Sequence, residues 1–336
     1  MNAQRADRLG LDIDVEKWPL KAPFRITGHT FVDQSVVVVR LEREGVVGRG
    51  EAAGVYYLHD EVERMVAQLE SIRPSIERGL DRESLRYLLP AGGARNALDC
   101  ALWDLEARLA GKPAWQLAGL AALEPLLTTF TVGADSPEKM AEAARAYTGA
   151  RAIKLKLTGE PVDSDRILAV RDVCPDVWLG IDANQGFTLA FLENLMPLLV
   201  GARVECIEQP FPIGREPDLL DLRSPIPVAA DESVQEASDI PSLVGHFDIV
   251  NIKLDKCGGL TEAFTMIEEA RRYDLDIMVG NMTGTVLSVA PAMLIGQRCK
   301  IVDLDAACFL CDDRRPGTVY RDGKVWCPEE AWGHPV

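Results

Sequence analysis

The feature that most constrains the fold is an alternation of short apolar, β-branched segments with helix-length intervals, which begins near Thr128. Eight segments have strand character, in the order LTTFTVG, RAIKLKL, VWLGID, RVECIE, IPVAAD, DIVNIK, DIMVGN and KIVDLD. Strands that alternate with helices predict a parallel sheet, because parallel neighbours need a crossover connection. Eight such strands close a barrel. We therefore expect residues 123–311 to form a parallel βα barrel.

A polar residue stands at or near the C-terminal end of seven of these segments. The seven, spaced 26, 26, 23, 22, 28 and 22 residues apart, are Lys156, Asp182, Glu208, Asp231, Lys253, Asn281 and Asp303. The C-terminal ends of parallel barrel strands meet at one rim, where the active sites of such barrels lie. We expect these side chains to line one pocket, although 121 residues separate Asp182 from Asp303.

Residues 1–122 have a different pattern, which predicts a separate α+β domain. The segments LDIDVEKW, SVVVVRLE and VVGRGEAA are typical of strands, and Glu44-Gly45 would join the last two as a hairpin. Helical segments follow, and the last has apolar residues at helical spacing until Gly111 and Pro113 end it. Residues 312–336 contain no further βα unit and are expected to pack back on this domain.

The composition excludes several classes of partner and location. The chain has 36 Lys and Arg against 52 Asp and Glu residues, and the net charge of −16 repels nucleic acid and anionic lipid. No segment approaches the roughly 20 apolar residues of a membrane helix, and the polar N-terminus lacks a secretory signal. Eight scattered cysteines predict free thiols, and the pair Cys308 and Cys311 has no second pair or His ligands nearby. We expect a cytoplasmic protein without nucleic-acid or membrane partners.

Three acids at successive strand ends indicate a metal site. Asp182, Glu208 and Asp231 would repel one another by about 4 kcal/mol for each pair at about 4 Å and an effective dielectric constant of about 20. An all-oxygen ligand set favours a hard dication, and three carboxylates that leave positions for water and substrate favour Mg2+. We therefore expect one Mg2+ per subunit. Acids that are paired with basic side chains or exposed at the rim are the alternative.

Lysines on two strands indicate acid/base chemistry. Lys154 and Lys156 are one residue apart in IKLKL, so both face the barrel interior on a strand. Crowding of the two ammonium groups is expected to lower their pKa and to supply a neutral amine as a base. Lys253 is a second acid/base across the mouth or a partner for a metal-binding acid. Two opposed lysines beside a dication predict removal of a proton α to a carbonyl, an enolate held by the metal, and reprotonation on the other face.

Several motifs in this order resemble the muconate-lactonizing-enzyme subgroup of the enolase superfamily. The segments are IKLKL, IDANQG, IEQP, ADES, NIKLDKCGG and ARNALDCALWDLEARLAGKP. The resemblance implies a (β/α)7β TIM-like barrel with an N-terminal α+β capping domain. It also implies that the three acids bind Mg2+ and that Lys156 and Lys253 are the acid/base pair, assisted by Lys154. A lysine base acting with Mg2+ is a general property of this superfamily.

The segment Asp303-Leu304-Asp305 resembles the Asp-x-Asp motif with which dipeptide epimerases hold the α-ammonium of the substrate. Two carboxylates at this spacing share a strand face, and a cation between them relieves their repulsion. The resemblance implies a dipeptide epimerase that inverts the α-carbon of the C-terminal residue through two-lysine proton transfer. An N-acylamino-acid racemase, an o-succinylbenzoate synthase and a cycloisomerase are alternatives on the same scaffold. A non-catalytic barrel that only binds a ligand is the alternative of another class.

Loops of the capping domain, around residues 20–31 and 54–60, are expected to set the specificity. Arg25 resembles the loop arginine that binds the glutamate side chain in Ala-Glu epimerases, and a guanidinium suits a carboxylate. Tyr56 and Tyr57 could equally line a pocket for an apolar or aromatic side chain.

Further residues are expected near the substrate. Asn281 and Met282, after the seventh strand segment, are predicted to contact it. His29 and His59 are either substrate contacts or solvated loop residues. The resemblance also implies a homo-oligomer that acts on a small-molecule dipeptide.

Overall fold

The computed structural model describes residues 8–335. The strands are β1 Gly10–Ile26, β2 His29–Arg43, β3 Val46–Ala52, β4 Leu126–Leu127, β5 Phe130–Val132, β6 Ala152–Lys156, β7 Trp178–Asp182, β8 Val204–Glu208, β9 Val228–Ala230, β10 Ile249–Lys253, β11 Asp276–Gly280, β12 Ile301–Asp303, β13 Val319–Arg321 and β14 Lys324–Trp326. The α-helices are α1 Val62–Ser71, α2 Arg73–Glu77, α3 Arg82–Leu88, α4 Gly93–Ala110, α5 Ala114–Leu117, α6 Pro137–Ala146, α7 Asp163–Val173, α8 Leu189–Gly201, α9 Asp218–Leu222, α10 Ile240–Leu243, α11 Leu254–Cys257, α12 Leu260–Arg272 and α13 Val286–Gly296.

An antiparallel sheet and a helical layer form the capping domain. Strands β1, β2 and β3 lie side by side in that order, and Glu44 and Gly45 join β2 to β3 with φ values of 56° and 79°. Two-residue turns with positive φ match the twist of a hairpin. Helix α4 packs on β3 so closely that a Cβ atom at Gly50 would overlap the Ala97 backbone. The helix ends at Gly111, which has the left-handed conformation of a C-terminal cap.

Eight parallel strands, β5 to β12, form the barrel in the order of the chain, which confirms the predicted barrel with a capping domain. The first and last strands are joined where the Thr129 N–H donates to the Val302 carbonyl at 2.9 Å. Along β6, Ile153 and Leu155 belong to the apolar core, whereas Lys154 and Lys156 alternate with them. Successive strand side chains point to opposite faces, so both lysines point into the barrel.

The first barrel strand is shorter than the segment LTTFTVG predicts. Leu126–Leu127 pairs with β14 in a separate small sheet, and only Phe130–Val132 pairs with β6. Thr128 lies between the two pieces, where its N–H donates to the Gly323 carbonyl and its hydroxyl accepts from the Leu304 N–H. The backbone leaves the ladder with β14 and joins the ladder with β6 within two residues. The hydrogen bonds of Thr128 hold the chain at this change of direction.

The C-terminal residues contact the capping domain directly. The Trp332 indole N–H donates to the Arg49 carbonyl at 2.9 Å, and the Gly333 N–H donates to Asp104 Oδ1 at 2.7 Å. Arg314 pairs with the buried Glu51 on β3 at 2.8 Å. All eight cysteines are free thiols. None of the helices within residues 8–335 is both long and apolar enough to cross a bilayer.

Candidate active site

Three buried carboxylates meet at the C-terminal rim of the barrel. Asp182 ends β7, Glu208 ends β8, and Asp231 follows β9. One ligand atom from each lies within 4.8 Å of the others, and none of the three residues is more than 1% exposed. The parallel strands therefore bring together the acids that the strand-end spacing placed at one rim.

Each of these acids contacts a lysine. Lys156 Nζ lies 2.5 Å from Asp182 Oδ2, and Lys253 Nζ lies 2.6 Å from Asp231 Oδ2. Lys154 Nζ donates to Glu208 Oε2 at 3.0 Å and also to Asp303. Lys156 lies on the second barrel strand and Lys253 on the sixth, so the two amines approach the acids from different sides of the rim.

The pKa of Lys154 shifts in the direction opposite to the one expected from crowding. Burial lowers the pKa of Lys154, but attraction to Asp303 and Glu208 outweighs burial and raises it well above the ordinary value. The pKa of Lys253 is raised in the same way, because attraction to Asp231 and Glu208 outweighs burial. The expected depression was wrong for Lys154, because attraction to the neighbouring acids exceeds the repulsion between the amines.

Lys256 contacts the acid triad and is a residue that the sequence reasoning missed. It is 1% exposed, and its Nζ donates to Asp231 Oδ1 at 2.6 Å, to the Asp231 carbonyl at 2.5 Å and to the Asn251 carbonyl at 3.1 Å. Burial raises the pKa of Asp231, but Lys253 and Lys256 outweigh burial and lower it below its usual range. The sequence offered one signal, a second lysine three residues after Lys253 in the segment LDKC, but the burial of that segment is visible only in the structure.

The charges and donors at the rim fit a hard dication. Four lysines face six carboxylates there, which leaves two negative charges when all ten groups are ionised; the acids are Asp182, Glu208, Asp231, Glu232, Asp303 and Asp305. Among residues 8–335, Glu232 Oε2, Asn184 Oδ1 and Asn251 Oδ1 are buried without a hydrogen-bond partner. Burial and the charge of Asp231 raise the pKa of Glu232 to about 8. Buried oxygen donors without a partner, beside three clustered carboxylates, suit a hard dication such as Mg2+.

Asp303 ends the eighth strand, beside the first, and Asp305 follows it by two residues. Asp303 accepts from the Thr129 hydroxyl and from Lys154, and Asp305 Oδ2 accepts from the Thr131 N–H at 2.6 Å. Burial and the charge of Asp303 raise the pKa of Asp305 to about 7. The sequence reasoning missed Thr129 and Thr131, although a barrel necessarily places its first strand next to its last.

A cavity of about 80 Å3 lies between this rim and the capping domain. Its walls include the predicted Tyr56, Asn281 and Met282, together with Lys156 and Lys253. The volume is small against the roughly 300–1,000 Å3 of typical ligand sites, but larger grooves adjoin it and share Phe24, Phe31, Tyr56 and Met282 with its walls.

The predicted Arg25 lies elsewhere. Its side chain is exposed and lines a neighbouring groove of about 820 Å3 with Gly133 and Asp135, because Phe24 and Ile26 on either side of it face the cavity. Successive residues of an extended strand point to opposite faces. The predicted His29 and His59 are both exposed, and His29 stacks on Tyr56 with ring centroids 5.0 Å apart.

A parallel βα barrel with an acid triad and opposed lysines at its mouth, covered by an α+β domain, defines a class of metal-dependent barrel enzymes. Residues 9–119 match the model of the mandelate racemase/muconate lactonizing enzyme N-terminal domain, and residues 138–334 match that of the enolase C-terminal domain-like family. The chain therefore belongs to the mandelate racemase and muconate lactonizing enzyme family of the enolase superfamily.

Individual relatives share most of the chain. An L-Ala-D/L-Glu epimerase from Escherichia coli (strain K12) is 38% identical over 92% of this chain and 97% of that protein. A crystal structure of an enolase family member from Agrobacterium tumefaciens, with homology to dipeptide epimerases and with bound sodium and L-Ala-L-Glu, has a TM-score of 0.93 and 37% identity over 97% of this chain and all of that one. A dipeptide epimerase from Methylococcus capsulatus, complexed with Mg and L-Arg-D-Lys, has a TM-score of 0.87 and 29% identity over 96% of this chain and 97% of that one.

Proposed function

We propose that this protein is a Mg2+-dependent dipeptide epimerase, an isomerase that inverts the α-carbon of the C-terminal residue. The observation that carries the proposal is the pair of lysines, Lys156 and Lys253, on the second and sixth strands with three buried carboxylates between them. The similar proteins described above act on or bind dipeptides, and one of them contains Mg.

Asp182, Glu208 and Asp231 would hold the Mg2+. When bound, the ion would supply positive charge that neutralises the three acids and weakens their ion pairs with the lysines, and it would stabilise negative charge on the substrate carboxylate. The rest of the chemistry belongs to side chains of this chain.

The two lysines exchange one proton each with the same carbon. On one face, the lysine that carries a neutral amine takes the α-proton onto its Nζ. On the other face, the lysine that carries an ammonium gives a proton from its Nζ to the carbon, and the configuration inverts. Lys154 stays paired with Glu208 and Asp303, so we propose that it fixes the acids and does not transfer the proton.

Asp303 and Asp305 are proposed to hold the α-ammonium of the dipeptide. Their carboxylates lie two residues apart at the end of β12, and Lys154 contacts only the first of them. A buried carboxylate gains most from a cationic partner when its own charge is costly, which is the case for Asp305. An N-acylated amino acid offers no such cation.

Isotope exchange tests the reaction. With Mg2+ in deuterated buffer, an L,L-dipeptide should yield the epimer with one deuteron at the α-carbon of the C-terminal residue, and recovered substrate should acquire the label as well. Mass spectrometry and NMR measure both. An epimer without deuterium would overturn the proton-transfer mechanism.

The same assay separates the rival substrates. An N-acetyl amino acid that exchanged faster than the dipeptide of the same residue would support the racemase alternative and leave the two-lysine chemistry intact. An Asp305→Asn variant should lose activity toward the dipeptide, because the carboxamide offers no negative charge to an ammonium.

Three other properties expected from the sequence are proposed with the function. The chain is divided into a capping domain of residues 1–122, a barrel of residues 123–311 and a C-terminal segment of residues 312–336, supported by the contacts of Trp332 and Arg314. The protein is a homo-oligomer, which light scattering after size-exclusion chromatography tests. It is cytoplasmic, which the free thiols support.

A further inference from the structure

Four aromatic side chains of the capping domain pack together above the barrel mouth; we call His29, Phe31, Tyr56 and Tyr57 the roof cluster. Phe31 and Tyr56 meet edge to face with ring centroids 5.5 Å apart, and Tyr56 and Tyr57 do so at 5.2 Å. Phe31, Tyr56 and Tyr57 line the 80 Å3 cavity that also contains Lys156 and Lys253. The cluster therefore covers the space above the two amines.

The strand beside the roof cluster adds further apolar surface. Phe24 and Ile26 line the same cavity from the end of β1, and Met282 lines it from the loop after β11. Arg25 points away from the cavity, and hydrogen bonds hold the backbone in that orientation. The Ala134 N–H donates to the Arg25 carbonyl at 3.1 Å, and the Thr27 hydroxyl lies 2.9 Å from the Leu157 carbonyl and 3.0 Å from the Ala183 carbonyl.

The charged groups that line the cavity all belong to the barrel. Lys156 and Lys253 each contact an acid, and Glu232 accepts from the Asn184 amide at 3.3 Å. Within residues 8–335, the capping domain contributes no charged side chain to this cavity. Within this cavity, a side chain that points from the α-carbon toward the cap thus meets mainly aromatic and aliphatic groups, and the polar groups there are the Gln34 amide and the two tyrosine hydroxyls.

We propose that the roof cluster receives the side chain of the residue that is epimerised and selects apolar side chains, aliphatic or aromatic, over charged ones. The inference rests on the proposed function, because it needs the α-carbon to lie between the two lysines. Burial of apolar surface favours the apolar substrate by about four-fold for each CH2 group. A charged side chain there is desolvated without a partner, and a carboxylate also faces the negative ring faces.

A substrate series tests the proposal. The rate of deuterium incorporation at the C-terminal α-carbon would be measured for L-Ala-L-Leu, L-Ala-L-Phe, L-Ala-L-Glu and L-Ala-L-Lys with Mg2+. We expect kcat/KM for the better apolar substrate to exceed those of the two charged substrates by at least about 100-fold. If L-Ala-L-Glu or L-Ala-L-Lys exchanges fastest, the proposed function stands and this inference is overturned. If no dipeptide in the series exchanges, both are overturned.

A variant of the roof cluster tests the assignment to particular residues. Phe31→Arg places a guanidinium on the cavity wall, so it should raise kcat/KM for L-Ala-L-Glu by at least about ten-fold and lower it for L-Ala-L-Leu. A folded Phe31→Arg protein, judged by circular dichroism, with no gain for L-Ala-L-Glu would contradict the proposal.

Two matched variants separate the roof cluster from Arg25 and from a defect in folding. Arg25→Ala should leave the ratio of kcat/KM for L-Ala-L-Leu to that for L-Ala-L-Glu unchanged within about two-fold. A selective loss of L-Ala-L-Glu turnover in Arg25→Ala would assign the selection to Arg25 and overturn the proposal. If Phe31→Arg does not fold, Phe31→Leu takes its place: it should keep the preference for apolar over charged substrates and lower the preference for L-Ala-L-Phe over L-Ala-L-Leu.

Discussion

The barrel rim and the roof cluster face each other across one cavity and are built in opposite ways. At the rim, buried lysines and carboxylates pair with one another, and they lie on or directly after strands whose backbones are held by neighbours on both sides. The roof consists of aromatic rings on the β1–β2 hairpin and on a 3₁₀ turn at Tyr56–Leu58. Chemistry that needs atoms in fixed positions therefore resides in the sheet, and selectivity that needs only a surface of suitable polarity resides in the cap.

Two sets of hydrogen bonds join these regions. Asp255 follows the catalytic candidate Lys253 by two residues, and its Oδ1 accepts from the Ala53 and Gly54 N–H groups at 2.8 and 3.0 Å, just before the roof tyrosines. Thr27 connects the end of β1 to carbonyls that follow β6 and β7. We therefore expect substitutions of rim residues to have the largest effects. Substitutions of Asp255 and Thr27, which connect the cap to the rim, should have smaller effects.

Loss of either rim lysine should have the largest effect. Lys156→Ala and Lys253→Ala should each lower the rate of epimerisation by at least about 100-fold, because a positioned acid/base is removed. Each variant should retain deuterium exchange of only one stereoisomer, through the lysine that remains. NMR of both stereoisomers in deuterated buffer measures this, with the exposed Lys112→Ala as the control. Full epimerisation in either lysine variant would contradict the two-lysine mechanism.

Lys256→Met should have the next largest effect. Methionine keeps the length of the side chain but leaves Asp231 Oδ1 and the Asp231 carbonyl without their donor, so we expect activity to fall about 10- to 100-fold. The variant treated with EDTA should also unfold at a lower temperature, and Mg2+ should raise its Tm more than it raises that of the parent protein. Calorimetric scans with and without Mg2+ measure this. An equal loss of Tm in both conditions, or in the surface control Lys300→Met, would argue for a purely structural role.

Asp255→Asn should change the pH dependence of stability and leave catalysis nearly intact. Burial raises the pKa of Asp255 to about 7 from its ordinary value of 3.8. The folded protein therefore holds this proton more tightly than the unfolded chain, and the stability present below about pH 4 is lost as the pH rises to about 7, by up to about 4 kcal/mol. The asparagine variant lacks this loss, so its free energy of unfolding should rise relative to the parent as the pH increases from about 4 to about 7, and the difference should stay constant above about pH 7.

Urea unfolding at several pH values measures that difference. The exposed Asp312→Asn serves as the control and should show no such trend. The carboxamide oxygen can still accept from Ala53 and Gly54, so kcat/KM should change little. If the free energies of unfolding of the Asp255→Asn and parent proteins change with pH in parallel, then burial of the Asp255 carboxyl does not destabilise the protein at neutral pH.

Thr27→Val should have the smallest effect. The substitution keeps the shape of the side chain and removes one hydroxyl donor between cap and rim, a bond that contributes about 1 kcal/mol. We expect KM for an apolar dipeptide to change roughly five-fold with kcat nearly constant. Steady-state kinetics measures both, with Thr30→Val on the same hairpin as the control. A large fall in kcat would mean that Thr27 supports the rim itself.

The rim was largely predictable from the sequence, because strand order alone brings strand ends together in a parallel barrel. Asp182, Glu208 and Asp231 needed only an apolar segment before each of them. Lys256 was not predictable in the same way, since its contact with Asp231 depends on a four-residue helix that returns the chain to the rim directly after β10. Short helices of this kind have no periodicity to detect.

The roof was less predictable, and Arg25 shows the reason. The β1–β2 register shifts between Pro19 and Phe24, and this irregularity decides which residues of β1 face the cavity. A shift of one residue moves every side chain of a strand to the opposite face. The aromatic residues of the loops suggested an apolar pocket, but only the structure shows that Phe24 and Ile26 occupy the inner face and Arg25 the outer one.

A crystal structure with Mg2+ and L-Ala-L-Leu would test most directly the division between a reactive rim and a selective roof. We predict Mg2+ about 2.0–2.1 Å from oxygens of Asp182, Glu208 and Asp231. The α-carbon of the leucine should lie between Lys156 Nζ and Lys253 Nζ, with its side chain against Phe31 and Tyr56. An ion bound away from the three acids, or both amines on the same face of the carbon, would contradict the account.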